Sequence, residues 1–233
     1  MKYLIASDIH GSAYYCEQLL EQFEKQGADK LILLGDILYH GARNELPFGY
    51  EPRRVIDMLN EISDKIICVR GNCDSEVDQT VLNFPIMAEY AFMPYKDKTI
   101  FITHGHKYGK DAYETHDFAM KAYEEAVANG QKIAKPDLQP LPFLNKGDVL
   151  LQGHTHVSGY REMECGAINV NPGSVSIPKS GSSHGYMTFE DGVFIRYSLT
   201  GDADLGYDMN DAPKNVEANN GVDASANPED ENE

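Results

Sequence analysis

Seven residues of metal-binding types stand directly after apolar runs of the chain. Carboxylate and amide oxygens and imidazole nitrogens are common ligands of divalent cations. Four of the seven form an Asp-x-His and a His-x-His pair, a spacing that places both side chains on one face of an extended segment. One such pair is weak evidence, but two pairs with three further candidates favour a metal site. The candidates are Asp8, His10, Asp36, Asn72, His104, His154 and His156.

The five apolar runs before these residues are predicted strands. Each is short and bounded by turn residues, which is typical of a buried strand. Ligands of open α/β sheets bind beyond the carboxyl ends of the strands, so we expect the seven side chains to meet in one cluster. Glycines at 35, 71 and 153 precede three of the groups and permit a sharp turn. The runs are Tyr3–Ala6, Leu31–Leu34, Ile66–Val69, Thr99–Ile102 and Val149–Leu151.

The order of elements predicts an α/β fold. A helix after Ser12 and another from Pro52 separate the first three strands, which implies parallel strands with right-handed crossovers. Towards the end, Asp191-Gly192 joins two apolar runs and predicts a tight antiparallel hairpin. Two packed mixed β-sheets flanked by helices are the simplest arrangement that satisfies both halves.

The chain divides into a domain of residues 1–200 and a tail of residues 201–233. Within the domain, residues 111–145 are predicted to be an inserted helix and loop. We interpret the helix as a surface helix packed on the sheet, and the alternative is a lid or an oligomer contact. The tail is rich in acidic residues, Asn and Ala, Lys214 is its only base, and it is expected to be disordered.

Composition narrows the function classes. The net charge of −17 disfavours a nucleic-acid partner, which needs clustered Lys and Arg. No apolar stretch approaches the roughly 20 residues that cross a bilayer, so no membrane partner is expected. The start shows no signal-peptide pattern and the four cysteines have no paired spacing, which favours a reduced, cytoplasmic protein; a homo-oligomer is left open.

The candidate residues and their neighbours resemble the successive motifs of the calcineurin-like metallophosphoesterase superfamily, and more finely its small bacterial phosphodiesterases of the YfcE type. The resemblance covers Met1 to about Leu199, apart from residues 111–145, and implies a four-layer sandwich. The motifs that carry it are Asp8-Ile9-His10, Gly35-Asp36, Gly71-Asn72-Cys73-Asp74, His104 and Gly153-His154-Thr155-His156.

The resemblance implies two divalent cations. Asp8, His10, Asp36 and His156 would hold the first, and Asp36, Asn72, His104 and His154 would hold the second, with Asp36 shared. It favours Mn2+, and the nitrogen and oxygen ligands also suit Fe2+ and allow Ni2+, Co2+ or Zn2+. The implied reaction is hydrolysis of a small phosphodiester substrate by in-line attack of a metal-bridging hydroxide.

Three positions depart from the family pattern. Cys73 stands where many members have a histidine that protonates the leaving group, and it is either a proton donor or a small buried side chain. Tyr39 and His40 replace a common Asp and Arg.

Further candidates are contacts to phosphate oxygens, each of which could instead be structural. They are His106, Arg70, Arg43 and Asn44. The alternatives to a phosphodiesterase are a phosphomonoesterase or protein phosphatase of the same fold and a non-catalytic scaffold.

Overall fold

Two β-sheets form the centre of the fold. The structure, a computed structural model, describes residues 1–136 and 141–210. The strands are β1 (Tyr3–Ala6), β2 (Lys30–Leu33), β3 (Ile66–Cys68), β4 (Tyr90–Tyr95), β5 (Lys98–Thr103), β6 (Val149–Leu151), β7 (Gly159–Glu162), β8 (Ile168–Asn171), β9 (Gly185–Glu190), β10 (Val193–Ser198) and β11 (Ala203–Asp208). The helices are α1 (Ala13–Lys25), α2 (Pro52–Glu61), α3 (Glu76–Gln79) and α4 (Lys110–Ala128), with a 3-10 turn at Ser63–Lys65.

Both sheets mix parallel and antiparallel strands. The first has six strands in the order β11-β10-β9-β1-β2-β3, and the second has five in the order β4-β5-β6-β8-β7. Strands β1, β2 and β3 run parallel, as do β5, β6 and β8, while β9, β10 and β11 pair antiparallel. The predicted parallel first half and antiparallel end are therefore confirmed.

Alternation along β2 shows how the layers pack. Leu31 and Leu33 belong to the core shared with α1 and α2, whereas Ile32, and Leu34 directly after the strand, face the second sheet. A third core lies on the outer face of the second sheet, where Tyr113 of α4 packs. Because side chains alternate in a strand, each sheet has two apolar faces to cover. The result is the predicted four-layer sandwich of helices, sheet, sheet and helix.

Local signals in the sequence fix the ends of several elements. Ser12 caps α1 by accepting a hydrogen bond from the Tyr15 backbone N–H. Pro52 occupies the first turn of α2, where a backbone N–H has no acceptor within the helix, so its absence costs no hydrogen bond. The predicted hairpin joins β9 to β10, and Asp191 and Gly192 both have positive φ, as a type I′ turn requires.

The chain end departs from the prediction. Disorder from residue 201 is wrong for Ala203–Asp208, which form β11 at the edge of the first sheet. Leu205 and Tyr207 alternate with polar residues and pack against the core between the sheets, a periodicity that the acidic composition masked. Residues 211–233 of the predicted tail and 137–140 of the predicted insertion lie outside the described residues.

The four cysteines were expected to be reduced. All four are free thiols, and all lie within the described residues. In the same part of the chain, no helix combines the length and the apolar character that a membrane span needs.

Candidate metal centre

Asp36 connects two groups of potential metal ligands. Its Oδ2 lies 3.8 Å from His10 Nε2 on one side and 3.5 Å from His104 Nε2 on the other. The carboxylate is 2% exposed, at the turn after β2. The five predicted strand ends come from both sheets. The structure brings all seven candidate residues together around Asp36, beyond the carboxyl ends of these strands.

The first group consists of Asp8, His10 and His156. The two imidazoles donate Nδ1–H to the carbonyls of Tyr39 and Ile177, each at 2.7 Å, so their Nε2 atoms carry the lone pairs. These two Nε2 atoms are only 3.2 Å apart, and His156 Nε2 is 3.2 Å from Asp8 Oδ1. Such an arrangement of lone pairs and a carboxylate is repulsive unless a proton or a metal cation lies between them.

Asp8 adds a second observation that fits a cation. It is 0% exposed, and its Oδ1 finds no hydrogen-bond partner among the described residues. Burial alone raises the pKa of Asp8, but the adjacent His10 and His156, when protonated, hold this pKa well below its ordinary value, so the carboxyl is ionised. A buried carboxylate with an orphaned oxygen beside two imidazoles is a donor set that a divalent cation completes.

The second group surrounds His104. Its Nδ1–H donates to the Leu34 carbonyl at 2.7 Å, which leaves Nε2 free to bind. That Nε2 lies 3.1 Å from Asn72 Oδ1 and 3.2 Å from His154 Nδ1. Three ligand atoms, together with Asp36, thus converge on a second position.

Five of the seven ligand candidates have left-handed backbone conformations. The φ angles are 58° at Asp8, 49° at His10, 56° at Asp36, 66° at His154 and 62° at His156. The prediction that Asp-x-His and His-x-His pairs converge because the segment is extended is therefore wrong. The backbone of both pairs turns instead in the left-handed region, which Asp and His enter more readily than most residues.

Two of the three preceding glycines serve a purpose other than the predicted turn. A Cβ on Gly71 would lie 2.0 Å from Asp36 Oδ1, and one on Gly153 would lie 1.9 Å from Ser7 Oγ. Neither glycine has positive φ, whereas Gly35 has φ 96° as expected. Gly71 and Gly153 are needed because side chains of the centre approach their backbone closely.

Sequence reasoning missed the residues that hold the ligand loops. Asp74, 2% exposed, accepts backbone hydrogen bonds from Asp36, Ile37 and Gly71 at 2.7–2.9 Å. The available signal was a carboxylate two residues after Asn72, in a turn between buried strands.

The loop after β8 holds Asp8 from the other side. Ser174 Oγ and Ser176 Oγ both donate to the Asp8 carbonyl, at 2.8 and 3.0 Å. No periodic pattern in the sequence indicates this contact, since the partners are more than 160 residues apart.

A cavity of about 730 Å³ opens over the centre. Arg43, Asn44 and Cys73, which the sequence suggested as groups that contact the substrate, line it. Lys179 and Asp111, to which sequence reasoning gave no role, also line it and are exposed. The other lining residues include ligand candidates from both groups, so a substrate in this cavity would contact the metal centre.

Arg70 and His106 occupy other positions. The Arg70 guanidinium donates to the Asp74 carbonyl at 3.2 Å and lies 3.7 Å from Glu89, contacts that favour the structural alternative over a phosphate contact. His106 lies beside the second group, its ring centroid 5.4 Å from that of His104 and 6.2 Å from that of His154. It is not among the residues that line the cavity. Burial and the neighbouring imidazoles lower the pKa of His106 to about 4, so its ring is neutral.

The chain matches known proteins over most of its length. Residues 1–191 match the model of the calcineurin-like phosphoesterase superfamily domain. The chain is 42% identical to phosphodiesterase YfcE of Escherichia coli strain K12 over 199 residues, which is 85% of this chain and 92% of that protein.

Solved structures agree. The structure of YfcE, described as a phosphoesterase from E. coli, superposes with a TM-score of 0.73 at 39% identity and covers 90% of this chain and 100% of that one. Vps29 from Entamoeba histolytica complexed with Zn2+ has a TM-score of 0.52 at 18% identity, covering 90% and 100%, and shares the fold. With the motifs, the fold and the metal-ligand set in agreement, the chain belongs to the calcineurin-like phosphoesterase superfamily.

Proposed function

We propose that the chain hydrolyses small phosphodiesters at a centre of two divalent cations. Membership of the phosphoesterase superfamily and 42% identity to a phosphodiesterase make it a metal-dependent phosphoric diester hydrolase. The number of cations, the residues that hold them and the size of the substrate are the finer parts of the proposal. The observation that supports them best is the position of Asp36 between two groups of ligand atoms.

Each cation has its own ligands apart from Asp36. Asp8, His10 and His156 would hold the first, and Asn72, His104 and His154 would hold the second. Two cations at such a centre supply a nucleophile by lowering the pKa of water, and they offset the charge on the phosphate oxygens. The nitrogen and oxygen ligands suit Mn2+.

The protein fixes the orientation of the imidazole ligands. The Nδ1–H groups of His10, His104 and His156 all donate to backbone carbonyls, which fixes the ring planes and directs Nε2 inward. Because the acceptors are backbone carbonyls fixed by the fold, the imidazoles are aligned before a cation arrives.

The cavity lining favours a small, singly charged phosphate. Arg43 and Lys179 bring two positive charges to the rim and Asp111 one negative charge, which together with the centre attract a diester monoanion. Arg43 and Asn44 offer hydrogen-bond donors to the non-bridging oxygens.

Cys73 is the candidate for protonating the leaving group. Burial, with the charge of Asp36, raises the pKa of its thiol, so the sulfur carries a proton near neutral pH. The thiol lines the cavity where a departing alkoxide or phenoxide would emerge.

The test is hydrolysis of an aryl phosphodiester by Asp36→Asn after reconstitution with Mn2+. Removing the shared carboxylate should reduce activity by more than about 100-fold. Asp57→Asn, an exposed carboxylate on α2, is the matched control and should retain wild-type activity. Full activity of Asp36→Asn would contradict the shared-ligand assignment.

A paired assay distinguishes the proposed phosphodiesterase from a phosphomonoesterase of the same fold. The aryl monoester corresponding to the diester should be the poorer substrate of the wild-type protein. A preference for the monoester would instead indicate a phosphomonoesterase. The cytoplasmic location and the lack of a nucleic-acid partner stay predictions.

A further inference from the structure

The sulfur atom of Cys73 lies close to two of the proposed metal ligands. Among the described residues, His10, Asp36 and Cys73 each offer one ligand atom, and these three atoms lie within 4.8 Å of one another. In a tetrahedral site with metal–nitrogen bonds of about 2.0 Å and metal–sulfur bonds of about 2.3 Å, ligand atoms are separated by roughly 3 to 4 Å. The separations therefore allow one ion to touch all three residues after small side-chain movements.

Two hydrogen bonds hold Cys73 in this position. Its backbone N–H donates to Asp36 Oδ1 at 2.8 Å, which ties the residue to the shared carboxylate. The amide Nδ2–H of Asn72 donates to Cys73 Sγ at 3.2 Å. The thiol lines the cavity, so an entering ion meets it directly.

The chemistry of sulfur decides which ions would use it. Hard cations such as Mn2+ and Mg2+ select oxygen and imidazole ligands, while thiolates select softer ions such as Zn2+ and Cd2+. A cation that coordinates a thiol displaces its proton to solvent as the metal–sulfur bond forms. The same edge of the fold thus offers two different ligand sets to two classes of ion.

We propose that Cys73 is a ligand for thiophilic cations, which bind through its sulfur together with His10 and Asp36. This rests on the proposed metal centre, because His10 and Asp36 belong to both ligand sets. A thiophilic cation bound in this way occupies the sulfur that otherwise faces the substrate. Zn2+ and Cd2+ then oppose turnover supported by Mn2+, and Cys73 sets the sensitivity of the enzyme to them.

The experiment titrates metal-free protein with Cd2+ and records the ultraviolet charge-transfer band of a cadmium–sulfur bond. Wild-type protein should show the band at the first equivalent of Cd2+. Cys73→Ser should lose it, and Cys165→Ser, which removes an exposed thiol far along the chain, should keep it. Circular dichroism of each variant checks that the fold is retained, and Cys73→Ala provides a second variant without sulfur.

Two further variants test whether the sulfur acts with the other ligands. His10→Ala and Asp36→Asn should each move the band to a higher Cd2+ concentration. A band that is unchanged in Cys73→Ser and Cys73→Ala, or unchanged in both His10→Ala and Asp36→Asn, would overturn the inference.

The experiment distinguishes a failure of the Cys73 inference from a failure of the proposed function. Hydrolysis of the aryl diester by wild-type protein with Mn2+ is measured on the same preparation. An enzyme that is active with Mn2+ but binds Cd2+ without a sulfur band refutes only the role of Cys73. An enzyme inactive with Mn2+ that still shows the band refutes only the proposed reaction.

Discussion

Asp74 accepts a hydrogen bond from the backbone N–H of Asp36 at 2.8 Å. The same carboxylate accepts from Ile37 at 2.9 Å and from Gly71 at 2.7 Å. Asp74 therefore joins the turn after β2 to the turn after β3, which carry Asp36 and Asn72. Ligands for both proposed cations depend on one buried residue that is itself no candidate ligand.

Asp74→Asn should weaken cation binding. The amide has one acceptor oxygen where the carboxylate has two, so at least one backbone N–H loses its partner. We expect the free energy of unfolding to fall by about 1–3 kcal/mol and the Mn2+ affinity to fall about 10- to 100-fold. Urea denaturation and calorimetric titration measure the two effects. Glu76→Gln, an exposed neighbour, is the control, and equal behaviour of the two variants would refute the role of Asp74.

Gly153→Ala should displace Asp8. The new Cβ would lie 1.9 Å from Ser7 Oγ and 2.9 Å from Asp8 Oδ2, so the side chains that follow β1 must move. We expect a loss of Mn2+ affinity of about 10- to 100-fold, measured by calorimetry. Adding Ser7→Gly should restore part of it by removing the nearest atoms.

Gly206→Ala is the matched control for this substitution. Its Cβ would meet Phe194 O at 3.6 Å, an ordinary contact, and Gly206 has no positive φ. A loss of affinity in this control equal to that of Gly153→Ala would show that the effect is not specific to the centre.

Cys73→His should favour substrates with poor leaving groups. An imidazole has an ordinary pKa near 6.5 and protonates a departing oxygen near neutral pH better than a thiol whose pKa is raised. Rates on a series of aryl phosphodiesters should improve most for the most basic leaving groups. A uniform change across the series would argue against proton donation at this position.

The cysteines should differ sharply in reactivity. Burial raises the pKa of Cys16 to about 12, so near pH 8 only about one part in ten thousand is thiolate. Burial also raises the pKa of Cys68 well above its ordinary value, whereas Cys165 is exposed. Alkylation followed by mass spectrometry should modify Cys165 first and Cys16 and Cys68 only after unfolding. Early modification of Cys16 would mean that α1 opens readily.

Much of the fold was predictable because local patterns carry it. Short apolar runs located β1, β2 and β3, and Asp191-Gly192 located the hairpin between β9 and β10. The edge strand β11 was missed because its alternating Leu205 and Tyr207 lie within a strongly acidic segment.

The candidate site was predictable in its members and less so in its geometry. Residue types at strand ends indicated the seven ligand candidates, because parallel strands bring their ends to one edge. The contact of Asp74 with Asp36 and the ion pairing of Arg70 with Glu89 depend on tertiary proximity, which no spacing in one sequence reports.

The left-handed conformations at Asp8, His10, Asp36, His154 and His156 have a consequence for folding. A non-glycine residue held there costs on the order of 1–3 kcal/mol, so these turns store unfavourable energy that ion binding offsets through linkage. Removing the ions with a chelator should release these turns before the sheets, and amide hydrogen exchange should accelerate there first. Metal supply would then govern the lifetime of the native protein as well as its catalysis.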